Sequence, residues 1–209
     1  MPELLGHHAY ITDLDGVVFD RGGFMRGVTF INGRLHPSHL PNTPLDQINH
    51  FDRRPSALEI TSWREEISFR GHKGREIIPG VPERLRQLSD EGAHIYGNTG
   101  RVNKRVWVEM TRYALAHEGL LRLYRTIGFR PPGVSELESK VDWIRTIAEQ
   151  YEETEFTDDS GKTVLFVAHR LPHVLVNHIH YPHPDRQITS QELEKYNIKV
   201  IPISEWRQG

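Results

Sequence analysis

The sequence predicts an α/β fold built on a doubly wound parallel sheet, with a small cap segment inserted after the first strand. The second half of the chain alternates short apolar runs with amphipathic stretches at helical spacing, which is typical of βαβ units. The first apolar run ends at Asp13, Asp15 and Gly16. Because 37% of the 209 residues are hydrophobic, the chain can bury a sizeable core.

The first apolar run places two carboxylates two residues apart. Residues i and i+2 of a strand point to the same face, so Asp13 and Asp15 are expected to converge where the strand ends. Open α/β sheets bind ligands at that edge, and Gly16 allows a sharp turn there. A hard divalent cation such as Mg²⁺ relieves the repulsion between the carboxylates. Taken alone, the same pattern also fits a common turn in which Asp side chains bond nearby backbone.

The region from 20 to 79 differs from the rest of the chain. Residues 21–55 are rich in Gly, Pro, His, Asn and Arg, and residues 28–33 predict a strand that enters an Asn-Gly turn. Such a long connection within a compact domain usually has a function. We therefore interpret 1–19 and 80–209 as the core domain and 20–79 as an inserted cap.

The remaining chain supplies the alternating elements of the sheet. The predicted strands share a short apolar run and cover 93–96, 121–127, 154–157, 174–178 and 199–203. The predicted helices share an apolar face and cover 80–92, 103–118, 135–148 and about 160–171, with a short one after 184. Ser135 and Glu138 have the spacing of a capping box.

Polar groups follow several predicted strands or begin the helix that meets the same edge. They are Asp13, Asp15, Thr99, Lys140, Asp158 and Asp159. Thr99 stands in a glycine-flanked turn, where backbone N–H groups can face an anion. Together these groups offer a metal site, a hydroxyl donor and a cation, a set that suits phosphoryl transfer.

In their order and placement, these residues resemble the four motifs of the haloacid dehalogenase-like superfamily. The resemblance implies that Asp13 is the nucleophile and that Asp15 is the general acid and base. It implies that Thr99 hydrogen-bonds the phosphoryl oxygens and that Lys140 steadies both the nucleophile and the phosphate. Asp158 with Asp159 matches the motif that completes Mg²⁺ coordination, which gives an acidic metal set of Asp13, Asp15, Asp158 and Asp159.

The resemblance also implies an activity. Dehalogenating relatives lack the second aspartate, so Asp15 favours a Mg²⁺-dependent phosphomonoesterase that acts through an aspartyl-phosphate. The alternatives are a phosphomutase, which uses the same two aspartates, and a non-catalytic binding module of the same fold. The insertion lies where many such enzymes carry a cap over the substrate.

The substrate is predicted less closely. Residues 88–101 and 139–145 are also similar to the phosphatase domain of polynucleotide kinase 3′-phosphatases. That similarity implies a nucleotide or nucleic-acid end, with Thr99, Gly100, Arg101 and Lys140 as substrate-binding residues. The net charge of −2 gives no support to nucleic acid, so a small phosphorylated substrate is equally expected.

Other features bear on metal chemistry and location. The chain has no cysteine, which excludes a disulfide framework and a thiolate metal site. Histidines 169, 173, 178, 180 and 183 form a cluster that can be read either as surface residues or as ligands for Zn²⁺. No signal pattern or membrane-spanning run is recognised, so a soluble, cytoplasmic protein without a membrane partner is expected. The sequence indicates no oligomeric state.

Overall fold

The computed structural model describes residues 5–20, 29–31, 34–36, 76–182 and 187–208. Its strands are β1 (Gly6–Asp13), β2 (Thr29–Ile31), β3 (Arg34–His36), β4 (His94–Val102), β5 (Tyr124–Arg130), β6 (Tyr151–Asp158), β7 (Leu175–His180) and β8 (Ile198–Pro202). Its helices are α1 (Val81–Asp90), α2 (Arg105–His117), α3 (Glu136–Ala148), α4 (Gly161–Arg170), α5 (Ser190–Tyr196) and α6 (Ile203–Trp206). In this described part of the chain, no helix has both the length and the apolar character needed to cross a bilayer.

Six strands form one parallel sheet in the order β5-β4-β1-β6-β7-β8. The chain moves outward from β1 through β4 to β5, then returns and continues on the other side of β1 from β6 to β8. The strand order therefore reverses between β1 and β6, and open α/β sheets bind ligands at such a point. Asp13 ends β1 and Asp158 ends β6. The predicted doubly wound α/β sheet is confirmed.

The sheet is buried on both faces. In β1, Ala9 and Ile11 pack with side chains of α3 and α4, whereas Tyr10 packs with side chains of α1 and α2 on the opposite face. Strands that are covered on both sides read as continuous apolar runs rather than as alternating patterns. This explains why residues 9–13 are all buried.

Two local predictions were wrong in detail. The strand predicted for 121–127 begins only at Tyr124, because Leu121–Leu123 form a 3₁₀ turn whose apolar side chains pack on the core. Periodicity cannot distinguish so short an apolar run from a strand. Ser135 does precede α3, but its hydroxyl makes no capping hydrogen bond, and a complete capping box instead begins α5 at Thr189.

The end of the loop after β1 is hydrogen-bonded to the segment 76–78. The Asp20 N–H donates to the Glu76 carbonyl at 2.8 Å, and the Ile78 N–H donates to the Val18 carbonyl at 2.9 Å. Between them, β2 and β3 pair antiparallel with two residues between the last paired positions, which confirms the predicted strand before the turn. Residues 21–28, 32–33 and 37–75 lie outside the described residues. The assignment of 20–79 as a cap therefore stays a prediction.

The loop after β1 is fixed by the C-terminal part of the chain. The Trp206 indole N–H donates to the Val17 carbonyl at 2.8 Å, and the Tyr181 hydroxyl donates to the Gly16 carbonyl at 2.9 Å. Trp206 is fully buried, with the Arg84 guanidinium 4.5 Å from its ring centroid. The loop that carries Asp15 is thus anchored from α6.

Removing the indole donor should destabilise this anchor. Trp206→Phe is expected to lower the free energy of unfolding by about 1–3 kcal/mol, because the buried Val17 carbonyl loses its donor. Trp143→Phe is the matched control, since within the described residues the Trp143 indole N–H has no hydrogen-bond partner. Urea unfolding of both variants measures the difference, and equal losses would contradict the anchor.

Candidate active site

Three acidic side chains meet at the strand-order reversal. Asp13, Asp158 and Asp159 are at most 3% exposed, and one carboxylate oxygen of each lies within 4.8 Å of the others. Asp13 and Asp158 meet because β1 and β6 are neighbours paired through Thr12 and Thr157. The Ser160 N–H donates to Asp158 Oδ1 at 2.8 Å and fixes that carboxylate. We call these three side chains the acidic triad.

Lys140 joins two members of the acidic triad. Its Nζ donates to Asp13 Oδ1 at 2.8 Å and to Asp158 Oδ2 at 2.7 Å, and its side chain is 3% exposed. Burial alone would lower the pKa of Lys140, but the charges of Asp13 and Asp158 outweigh it and hold that pKa well above its ordinary value. Lys140 is therefore a permanent cation at the end of β1.

The Asp15 carboxylate pairs with Arg101, whereas Asp13 and Asp158 pair with Lys140. Arg101 donates from Nε to Asp15 Oδ2 at 2.9 Å and from Nη2 to Oδ1 at 2.5 Å, which is the bidentate geometry of a strong charge-assisted pair. Its Nη1 donates to the Thr111 hydroxyl at 2.7 Å, and its guanidinium lies 4.9 Å from the Phe19 ring centroid. The Asp15 side chain is 21% exposed, so it remains accessible while its orientation is fixed.

Two neighbouring residues of β4, Thr99 and Gly100, are hydrogen-bonded to Asp15 and Arg130 respectively, and we call them the rim. The Thr99 hydroxyl donates to Asp15 Oδ2 at 3.4 Å and accepts from the Arg101 N–H at 3.2 Å. Arg130 Nε donates to the Gly100 carbonyl at 2.9 Å. The pairing of β4 with β5 shifts register between Thr99 and Val102, and such irregularities re-aim side chains next to functional sites.

The structure brings all the sequence-predicted site residues to one edge of the sheet. They are Asp13, Asp15, Thr99, Gly100, Arg101, Lys140, Asp158 and Asp159. Among the described residues, the Asp15 carboxylate is not part of the acidic triad, and the prediction that Asp15 is a metal ligand stays a prediction. Because β1 ends at Asp13, the strand pleat no longer fixes the direction of Asp15.

Arg101 was expected to contact the substrate directly. Its guanidinium is instead engaged by Asp15 and Thr111, and its side chain is only 3% exposed. Direct contact with a leaving group stays a prediction. Sequence reasoning missed the pairing with Asp15 because it placed Thr99 in a turn, whereas β4 continues to Val102 and carries both Thr99 and Arg101.

The charge balance of the site favours a dication. Four carboxylates (Asp13, Asp15, Asp158 and Asp159) face two cations (Lys140 and Arg101), which leaves a net charge of −2. Burial holds the pKa of Asp13 well above its ordinary value. The neighbouring carboxylates add to this effect, and the charge of Lys140 opposes it. A divalent cation placed among the carboxylates would favour their ionised forms. Three buried carboxylates are hard oxygen donors, so the residues present fit a cation such as Mg²⁺.

The histidines predicted as possible Zn²⁺ ligands include one, His178, that contacts the backbone of the acidic triad. His178 is buried and its Nε2 lies 3.3 Å from the Asp159 carbonyl, while the His180 ring meets it edge-on with centroids 5.7 Å apart. In residues 5–182 and 187–208, as far as they are described, the histidines do not assemble a three-ligand group like the acidic triad. His183 lies outside the described residues, and zinc binding stays a prediction.

Gly16 lets the loop pass against the acidic triad. Its φ is +95°, and a Cβ built there would lie 1.8 Å from Asp159 Oδ2. Gly16→Ala is expected to weaken Mg²⁺ binding about 10–100-fold, because it displaces a residue of the proposed metal site. Gly92→Ala is the matched control, since Gly92 has φ +94° but no heavy atom within 4 Å of its added Cβ.

Calorimetric titration with Mg²⁺ separates the two glycine variants. In both variants the new side chain at positive φ is expected to lower the free energy of unfolding by about 1–2 kcal/mol. Only Gly16→Ala should also lose metal affinity. Equal Mg²⁺ affinity in the two variants would show that Asp159 does not depend on this close approach.

Solved structures with the same architecture include a haloacid dehalogenase-like family hydrolase from Streptococcus pneumoniae. Its TM-score is 0.56 at 16% identity, and the alignment covers 94% of this chain and 93% of that one. The fold is that of the haloacid dehalogenase-like superfamily. A candidate β-phosphoglucomutase from Thermotoga maritima is also similar, with TM-score 0.54, 15% identity and 96% of both chains covered.

Protein Tyrosine Kinase A of Mycobacterium tuberculosis is similar as well, with TM-score 0.53 and 18% identity over 93% of this chain and 98% of that one. The sequence matches no protein-family model and no curated protein. At these identities the likeness establishes the haloacid dehalogenase-like fold, which confirms the fold implied by the sequence resemblance. The roles of individual residues must be argued from the geometry of the site.

Proposed function

We propose that the protein is a phosphomonoesterase that depends on a divalent cation and transfers the phosphoryl group through Asp13. The observation that carries this proposal is the position of the Asp13 carboxylate. It is buried, it is bonded to Lys140 at 2.8 Å, and it belongs to the acidic triad at the strand-order reversal. An ionised carboxylate beside a cation is a suitable nucleophile for phosphorus.

The proposed reaction has two steps. In the first, an oxygen of Asp13 forms a bond to phosphorus, the bond to the leaving oxygen breaks, and Asp15 gives that oxygen a proton. In the second, Asp15 takes a proton from water, whose oxygen attacks the phosphorus of the aspartyl-phosphate and releases Asp13. The bidentate pair with Arg101 fixes the orientation of the Asp15 carboxylate, whose side chain stays 21% exposed and so can be reached by substrate and water.

Three groups are proposed to bind the phosphoryl oxygens. Lys140 supplies a charge next to the nucleophile, the Thr99 hydroxyl is hydrogen-bonded to Asp15, and the Gly100 N–H belongs to the same rim. Donors fixed in advance around the transferring group stabilise the charge that spreads over its oxygens.

The acidic triad is proposed to hold Mg²⁺. Asp13, Asp158 and Asp159 supply oxygen ligands, and the carbonyl of Asp15 is an additional predicted ligand. The bound ion supplies positive charge that neutralises the phosphoryl oxygens. Mg²⁺ is favoured over softer metals because every side-chain ligand of the triad is a carboxylate.

Hydrolysis of an aryl phosphate with and without Mg²⁺ tests the proposal. We expect phosphate release that requires the metal and is lost when it is chelated. No release in any divalent cation would refute a phosphatase. Transfer of the phosphoryl group to a second hydroxyl of a sugar phosphate, rather than to water, would identify the phosphomutase alternative.

The metal assignment makes a sharper prediction. Asp158→Ala is expected to weaken Mg²⁺ binding and turnover together, each by 10-fold or more (about 1.4 kcal/mol), since it removes a ligand and one partner of Lys140. Asp142→Ala is the control, because Asp142 is a 67%-exposed carboxylate on the same helix as Lys140. Unchanged Mg²⁺ dependence in Asp158→Ala would contradict the assignment.

A further inference from the structure

Glu136 is an acidic side chain at the mouth of the site that the proposed chemistry does not use. It lies in the first turn of α3, its Oε1 is 3.7 Å from Lys140 Nζ, and its side chain is 54% exposed. One side of this carboxylate therefore faces the catalytic cation and the other faces solvent. A phosphate bound near Lys140 would therefore lie close to this carboxylate.

The Glu136 carboxylate also lies close to the backbone of Gly100. A Cβ built on Gly100 would lie 2.5 Å from both the Glu136 carboxyl carbon and Oε1. The carboxylate thus rests directly on the Thr99–Gly100 rim, which Arg130 holds from behind through the Gly100 carbonyl. Glu136 therefore lies beside both Lys140 and Gly100, two of the groups proposed to bind the phosphate.

The charge of Glu136 is only partly balanced. Lys140 is bonded at 2.7–2.8 Å to Asp158 and Asp13, whereas Glu136 lies about an ångström further away. Its carboxylate therefore projects negative charge toward whatever group is attached to the phosphate. A negative charge at this position repels an anionic leaving group and attracts a cationic one.

We propose that Glu136 is a specificity-determining residue that selects phosphate monoesters with an amine-bearing leaving group over those whose leaving group is anionic. This inference rests on the proposed phosphatase function and names the substrate class of that same site. It disfavours nucleic-acid ends, whose leaving group is a polyanion. The simpler alternative is that Glu136 only supports Lys140 as its i,i+4 partner, in which case its loss affects all substrates equally.

Two aryl phosphates that differ only in a remote charge distinguish these roles. One carries a para aminoethyl group and the other a para carboxyethyl group, and two methylene groups separate each charge from the ring, so the two leaving phenols are similar in acidity. We measure kcat/KM for both in wild type, Glu136→Gln, Glu136→Lys and Glu138→Gln. Glu138 is the matched control, a 47%-exposed glutamate on the same helix that pairs with Arg170.

The decisive quantity is kcat/KM for the amine substrate divided by kcat/KM for the carboxylate substrate. We expect it to exceed one in wild type, to fall about fivefold in Glu136→Gln and further in Glu136→Lys, and to stay unchanged in Glu138→Gln. A ratio that does not move in either Glu136 variant, or that moves as much in Glu138→Gln, overturns the inference. If wild type hydrolyses neither substrate nor nitrophenyl phosphate, the proposed function fails and the inference fails with it.

Discussion

Asp13→Asn is expected to abolish turnover of every phosphate ester, by about 10⁴-fold or more, because an amide cannot form the covalent intermediate. The loss should not depend on the leaving group, since every substrate must transfer its phosphoryl group to the Asp13 oxygen. Lys140 retains Asp158 as a partner in this variant, so the fold has a remaining contact for the buried cation.

Steady-state kinetics on an aryl and an alkyl phosphate measure this loss, with the thermal transition recorded in parallel. Asp20→Asn is the control, because Asp20 lies seven residues after Asp13, pairs with Arg207 at 3.1 Å and does not belong to the acidic triad. Residual turnover above one per cent of wild type in a folded Asp13→Asn protein would show that Asp13 is not the nucleophile.

Asp15→Asn is expected to have a selective effect. Removing a general acid typically costs about 10²–10⁴-fold, and this cost applies where the leaving group needs a proton. Nitrophenolate leaves without one, so the variant should be least impaired on nitrophenyl phosphate. An asparagine can still accept a hydrogen bond from Arg101, which limits the disturbance to the chemistry of the lost carboxylate.

The ratio of aryl- to alkyl-phosphate turnover in wild type and in Asp15→Asn makes this comparison. We expect the ratio to rise in the variant. If both substrates lose activity equally, Asp15 acts through structure, and the pair that it forms with Arg101 is the contact that matters.

The sequence predicted the fold well because its signals are local. The apolar run that ends in Asp13 reads as a buried strand, and the same holds for the strand that ends at Asp158. Once both strands are parallel, their ends must meet at one edge of the sheet. The pairing of Lys140 with both aspartates follows from the start of α3 at that edge.

The details that sequence reasoning missed are set by contacts between distant segments. The direction of Asp15 depends on a turn and on Arg101, which lies within the register shift of β4 between Thr99 and Val102. The role of Trp206 depends on a helix that returns to the loop after β1 from the far end of the chain. No periodicity in a single segment encodes such contacts, because each depends on how two elements pack.

The position of the acidic triad gives the site its chemical character. Residues of β1, β6 and the loop after β6 place three carboxylates together, and Lys140 neutralises only part of their charge. Such a cluster is costly to bury unless it is compensated. A divalent cation bound among the three carboxylates would compensate their negative charge.

Locating the phosphoryl group on the protein tests the central claim most directly. Asp15→Asn is mixed with nitrophenyl phosphate and Mg²⁺, quenched in acid, and its peptides are analysed by mass spectrometry. The account predicts a phosphoryl group on Asp13 that accumulates only when the metal is present and is absent in the Asp13→Asn, Asp15→Asn double variant. A phosphoryl group on another residue, or turnover with no covalent phosphoprotein at any time after mixing, would contradict it.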